Sequence, residues 1–70
     1  MPDATASPAA LIDTCAAMHL EMHPDTALTR KVADGFWFLI SAEQRDLFDG
    51  PDDFHVCLEM RVDDRRKVAS

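Results

Sequence analysis

The chain of 70 residues lacks several features that mark common classes of small protein. It has two cysteines, too few for the dense disulfide framework of a small secreted domain. Its longest strongly apolar run is residues 36–40, whereas a membrane span needs about 20 apolar residues. Residues 1–7 contain no basic side chain, and a signal peptide begins with one. We therefore expect a cytoplasmic protein whose cysteines are reduced.

Basic residues are also scarce, with 7 Lys and Arg against 13 Asp and Glu, which gives a formal net charge of -6. This balance argues against direct binding of nucleic acid, which needs cations to replace phosphate counterions. The charge is uneven: residues 1–40 carry -3, residues 41–64 carry -6 and residues 65–70 carry +3. An acidic second half suits a protein partner with a basic surface.

The shortness of the chain excludes a doubly wound nucleotide fold or a barrel enzyme. No catalytic signature is present, so we expect no enzyme activity and no cofactor. A core of this size supplies only about 3–5 kcal/mol of net stability, so help from a partner is expected.

Hydrophobic residues nevertheless make up 47% of the chain, enough for a core, and helix signals recur. Ser7 before Pro8 predicts a capped helix start, and Ser41 with Gln44 matches a capping box. The sequence predicts an all-α fold, a small bundle of three to four short helices. The predicted helices are Ser7–His23, Asp25–Ile40, Ser41–Phe48 and Pro51–Lys67.

One ambiguity concerns the type of secondary structure. The run 36–40 is also typical of a buried strand, and apolar residues alternate over 54–62. The alternative is therefore an α+β fold with short strands near 36–40 and 54–62. In either fold, residues 1–6 are predicted to be a disordered tail and residues 7–70 a single domain.

The apolar spacing predicts which faces of the helices are buried. In the first helix the stripe runs through Leu11, Cys15, Met18 and Met22, in steps of four, three and four. The aromatic residues 36–38 are consecutive, so on a helix they span about 200° and no single narrow face buries them all.

Acidic residues crowd the region that follows the aromatic run, and no Lys or Arg lies between Asp46 and Met60. Such a cluster attracts a cationic partner and makes binding dependent on salt. The alternative is that these acids favour a helix N-terminus or are simply solvated. The predicted partner-binding residues are Asp46, Asp49, Asp52, Asp53 and Glu59, with Trp37 as an apolar anchor.

Together these features predict a small acidic, non-catalytic protein-binding module, an inhibitor or modulator that engages a basic surface. By size and charge it is comparable to small inhibitors such as phage-encoded anti-defence proteins and antitoxins. The alternative is a homodimeric structural or regulatory protein that associates through its aromatic segment.

A set of cysteines and histidines raises the question of a metal site. Cys15, His19 and His23 are four residues apart, and His55 and Cys57 come later in the chain. Zinc accepts such ligands, but no Cys-x-x-Cys pair is present. We therefore expect structural or surface roles for these residues and no metal.

Overall fold

The computed structural model describes residues 7–69, which contain four helices, the loops that join them and no strand. The all-α prediction is confirmed, and the alternative with strands near 36–40 and 54–62 is wrong, since residues 36–39 and 54–62 are helical. The predicted tail, residues 1–6, lies outside the described residues, as does residue 70. The helices are α1 (Pro8–Met22), α2 (Arg30–Leu39), α3 (Ala42–Arg45) and α4 (Pro51–Ala69).

Two of the predicted helix starts are confirmed in atomic detail. The Ser7 side chain accepts the amide of Ala10 at 3.1 Å, and Pro8 occupies the first helical position of α1. At α3 the Ser41 hydroxyl accepts the Gln44 amide at 3.1 Å, while the Gln44 side chain accepts the Ser41 amide at 2.9 Å. Each cap pairs amides that the helix itself leaves unbonded.

The predicted start of α2 at Asp25 is wrong, because the helix begins at Arg30. The Thr29 side chain accepts the amide of Val32 at 3.3 Å and therefore takes the capping role. The segment between α1 and α2 is a loop, which Leu28 anchors with only 7% of its surface exposed.

Two other helix ends also differ from the prediction. Helix α3 ends at Arg45 and not at Phe48, because the Phe48 amide donates to the Arg45 carbonyl at 3.1 Å in a tight turn. This turn directs Phe48 towards the core, where its ring is half-buried. Helix α4 extends two residues beyond its predicted end, to Ala69.

The core lies between α4 and the other helices. Phe54, Leu58 and Val62, spaced four residues apart on α4, are at most 1% exposed. The molecule measures 17 Å in its thinnest direction, which leaves room for two layers of helices around one layer of side chains. The buried apolar residues that α1 and α2 contribute to the same core are Leu11, Ile12, Cys15, Ala16 and Ala33.

The buried face of α1 departs from the predicted stripe in its second half. Met18 and Met22 are 46% and 69% exposed, whereas Ala16 and His19 are buried. The buried face of α1 therefore includes a polar residue, His19, and the spacing of apolar residues alone does not predict its burial.

Candidate functional site

Four of the five predicted acidic site residues lie together in the segment that runs from the end of α3 through the first turn of α4. We call residues 46–53 the acidic connection; it comprises the turn after α3 and the first turn of α4. Asp46, Asp49, Asp52 and Asp53 are all exposed there. Glu59 is also exposed, but it lies seven residues after Asp52 on α4, about 10 Å along the helix axis.

The aspartates differ in what they contact. Asp52 forms an ion pair with Arg30 on α2, at 2.5 Å between carboxylate and guanidinium. Asp53 accepts the backbone amide of Asp49 at 3.3 Å and so closes the turn before α4. Within residues 7–69, no cation pairs with the carboxylate of Asp46 or of Asp49. The acidic connection therefore presents negative charge that the fold does not neutralise.

Arg45, the basic residue nearest these aspartates in sequence, is used elsewhere. Its Nε donates to the carbonyl of Trp37 at 2.9 Å, and its Nη2 donates to the carbonyl of Phe38 at 3.0 Å. These carbonyls belong to the last turn of α2, where no following turn of helix supplies N–H groups to bond them. Arg45 thereby caps α2 and fastens α3 and the start of the acidic connection to that end of it.

Trp37, the predicted anchor, is half-buried in an aromatic cluster. Its ring centroid lies 5.4 Å from that of Phe54 and 6.4 Å from that of Phe48. The next two residues point outward: Phe38 is 74% exposed and Leu39 is 79% exposed. The aromatic run is thus divided between core and surface, as its angular spread requires, and Phe38 is its most exposed aromatic member.

An ion cluster without any local sequence signal joins α1 to α4. Asp13 accepts from Arg61 at 2.8 Å and from Arg65 at 2.9 Å and 3.2 Å. These hydrogen bonds, that of Arg65 first, lower the pKa of Asp13 to about 2. Arg61 and Arg65 are 48 and 52 residues from Asp13 in the sequence, so no local spacing could predict these ion pairs.

His19 and Arg66 hold the loop between α1 and α2 through one carbonyl. His19 is 1% exposed, and its Nε2 lies 3.1 Å from the carbonyl oxygen of Thr26. Arg66, from the last turn of α4, donates to the same oxygen. Part of the basic end of the chain is therefore structural, because it fixes a loop on the core.

The cysteines and histidines do not assemble into a ligand set. Cys15 and His19 are buried in the core, whereas His23 is exposed at the end of α1. Among the described residues, no group of three or more His, Cys, Asp or Glu side chains could hold a metal ion.

The pKa values of both cysteine thiols are raised. Burial raises the pKa of Cys15. Burial also raises the pKa of Cys57, and the nearby charge of Asp53 adds to this effect. The Cys57 Sγ lies 4.0 Å from the Asp53 carboxylate. A raised pKa reduces the thiolate fraction, whereas catalytic cysteines have a lowered pKa.

Across residues 7–69, no helix combines the length and apolar character needed to cross a membrane. Compared with protein-family models, curated proteins and solved structures, the chain matches none of them.

Proposed function

We propose that this chain is a small cytoplasmic, non-catalytic module that binds a basic surface of a partner protein and modulates its activity. The binding surface is the acidic connection together with Phe38 and Leu39, which α3 joins to it. The observation that carries the proposal is the exposure of Phe38 and Leu39 at the end of α2 to which Arg45 fastens the start of the acidic connection, where no cation within residues 7–69 pairs with Asp46 or Asp49.

The two parts of this surface would act differently. Negative charge steers a cationic partner during approach and makes the association rate dependent on salt. Burying Phe38 and Leu39 in the complex supplies affinity, at about 1.5–3 kcal/mol for each side chain that is fully removed from water. A partner with an apolar recess rimmed by Lys or Arg would satisfy both.

An inhibitor or modulator is the role that suits these features. The chain offers a surface for another protein, whereas its thiols are shifted away from reactivity. A module of this kind acts by covering a basic site on its partner, which is how a small acidic protein can block access for another ligand.

The test is a capture experiment with paired charge reversals. The variant Asp46→Lys/Asp49→Lys reverses two aspartates whose carboxylates no cation within residues 7–69 contacts. The control Glu21→Lys/Asp25→Lys makes the same change in net charge at two exposed positions around the end of α1. Each protein is immobilised, exposed to lysate of the organism that encodes it and washed at low and at physiological salt.

We expect a protein that the wild type and the control retain and that Asp46→Lys/Asp49→Lys loses. Its retention should fall as salt rises. Equal loss from both charge variants would attribute capture to net charge alone. Unchanged capture by Asp46→Lys/Asp49→Lys at physiological salt would refute an acidic binding surface.

A homodimer that associates through the aromatic segment is the second candidate, and the exposure of Phe38 and Leu39 favours it. The formal charge of -6 on each copy opposes it. Sedimentation of the wild type beside Phe38→Ser distinguishes the two proposals. A dimer that Phe38→Ser dissociates supports this candidate, whereas a wild-type monomer at micromolar concentration removes it.

A further inference from the structure

A second apolar surface adjoins the acidic connection, on the side formed by α1 and α4. It is an open groove of about 450 Å³, a volume within the range of about 300–1,000 Å³ that is usual for ligand sites. Its apolar lining comes from Ala9 and Ile12 on α1, Phe48 before α4, and Cys57 and Met60 on α4.

The α4 side of this groove is formed by Cys57, Met60, Arg61 and Asp64, and three of these share a helical stripe with Asp53, one turn before Cys57. Asp53, Cys57, Met60 and Asp64 follow one another at steps of four, three and four residues, so they share one face of the helix. Asp53 to Asp64 covers about 16 Å, or three helical turns. Met60, in the middle, is 64% exposed although it is apolar.

The two ends of the groove differ in net charge. At one end the lining residues Phe48 and Cys57 adjoin the acidic connection: the Asp53 carboxylate lies 4.0 Å from the Cys57 Sγ and accepts the Asp49 amide. At the other end the lining includes Asp13, Arg61 and Asp64, and Asp13 is hydrogen-bonded to Arg61 and to the neighbouring Arg65, which makes two acids and two bases. The groove is therefore apolar in the middle, acidic at one end and balanced at the other.

We propose that the occupant of this groove is an amphipathic helix of the partner protein. Its apolar side chains, at spacings of three and four residues, would pack on Ile12, Phe48 and Met60. Its lysines or arginines would lie at the end that faces Asp49 and Asp53. This inference rests on the proposed function, because it identifies the segment of a basic partner that the chain would bind.

The charges favour this occupant over a second copy of the chain. Two copies would bring together two molecules of formal charge -6, and the acidic end of the groove would face further acid. A helix with a basic end meets opposite charge there, and the dipole of a helix makes its N-terminus a favourable neighbour for aspartates.

The probe is a synthetic amphipathic helix of about 15 residues, with leucines along one face and lysines in its first turn. A peptide of the same composition in scrambled order is the control probe. Binding to the full chain is measured by fluorescence polarisation at two salt concentrations. We expect saturable binding of the ordered peptide, weakened by salt, and no saturable binding of the scrambled one.

Matched substitutions of two methionines test whether the peptide binds in the groove. Met60→Glu places a charge in the groove, whereas Met22→Glu makes the same change at a similarly exposed methionine on α1, 69% exposed, that does not line it. We expect Met60→Glu to weaken binding at least about tenfold and Met22→Glu less than about twofold. Circular dichroism of both variants verifies that they are folded.

The two cysteines provide an independent reading of occupancy. Cys57 lines the groove and is half-buried, whereas Cys15 is 4% exposed. Bound peptide should slow the alkylation of Cys57 by iodoacetamide and leave the slow reaction of Cys15 unchanged. Alkylation of Cys57 at its free rate under saturating peptide would overturn the assignment of the groove.

The outcomes separate this inference from the proposed function. If Asp46→Lys/Asp49→Lys loses the captured partner while Met60→Glu keeps both partner and peptide, the acidic surface stands and the groove is wrong. If sedimentation shows a dimer that Met60→Glu dissociates, the occupant is a second copy and the inference is overturned. Equal binding of ordered and scrambled peptides would also overturn it.

Discussion

Helices α1 and α4 are built differently from α2 and α3. Five side chains of α1 are buried, and α4 contributes three that are at most 1% exposed. In contrast, α2 buries only Ala33, and α3 buries none. The first pair is also joined by the ion cluster of Asp13, whereas Arg45 ties α3 to α2 through backbone carbonyls.

This difference separates the part of the molecule that holds the fold from the part that offers a surface. The α1–α4 pair excludes water from most of the core, so substitutions there should act on folding. By the α2–α3 edge we mean the surface formed by α3 and the end of α2. It presents Phe38, Leu39 and the start of the acidic connection, whose side chains are exposed, whereas Phe36, Trp37 and Ile40 pack against the core. Changes at this edge should therefore alter binding more than stability.

The largest effect is expected for Phe54→Ala. Removing a buried phenylalanine costs about 3–5 kcal/mol, as much as the whole net stability of a domain of this size. Phe54 is fully buried and contacts both Trp37 and Phe48 through its ring. We expect the variant to be unfolded by circular dichroism at room temperature. The control Val56→Ala, on the same helix but 57% exposed, should remain folded.

A smaller effect is expected at the cap of α2. Thr29→Ala removes the acceptor of the Val32 amide and should cost about 1 kcal/mol. If the α2–α3 edge opens separately, hydrogen exchange should accelerate in α2 and remain slow in α1 and α4. Equal acceleration in all helices would show that the molecule opens as one unit and that the two regions are not energetically distinct.

Local signals predicted helix identity well because they depend on neighbouring residues. Ser7 with Pro8, and Ser41 with Gln44, fix helix starts through bonds that close within three residues. The start of α2 was misplaced because Asp25 is an equally acceptable cap in isolation. The Thr26 carbonyl, however, is held by His19 and Arg66 in a loop, and this tertiary contact has no local signal.

The candidate site, too, could be predicted from the sequence only where it depends on neighbouring residues. The crowding of aspartates after α3 is visible in the sequence, and the structure places four of them in one exposed segment. Which aromatic residue faces outward depends on the direction of α2 relative to the core. Spacing predicted that residues 36–38 could not share one narrow face, but it did not identify Phe38 as the exposed aromatic. The groove depends on how α1 packs against α4 and was not predicted.

Acid should weaken the α1–α4 pair through Asp13. The folded-state pKa is about 2, below the ordinary value of 3.8, so the folded state favours the charged carboxylate. The contribution of its ion pairs is complete above about pH 5 and is lost as pH falls towards 2. Urea unfolding of the wild type and Asp13→Asn should therefore differ at pH 7 and converge in acid. A difference as large at pH 2 as at pH 7 would mean that Asp13 acts through packing instead.

The smallest effect on stability is expected for Phe38→Ala, at the α2–α3 edge. Its side chain is 74% exposed, so the free energy of unfolding should change by less than about 0.5 kcal/mol. Trp37 is the single tryptophan, so its emission reports on the aromatic cluster next to this position. The emission maximum of Phe38→Ala should match that of the wild type.

Phe48→Ala is the matched control, because it removes the same atoms from a ring that is half-buried and lies 5.2 Å from Phe54. It should lower the stability by more than about 1 kcal/mol and shift Trp37 emission to longer wavelength as water reaches the cluster. If Phe38→Ala destabilised the protein as much as Phe48→Ala, Phe38 would belong to the folding framework. The edge of α2 would then no longer be a surface free to bind a partner.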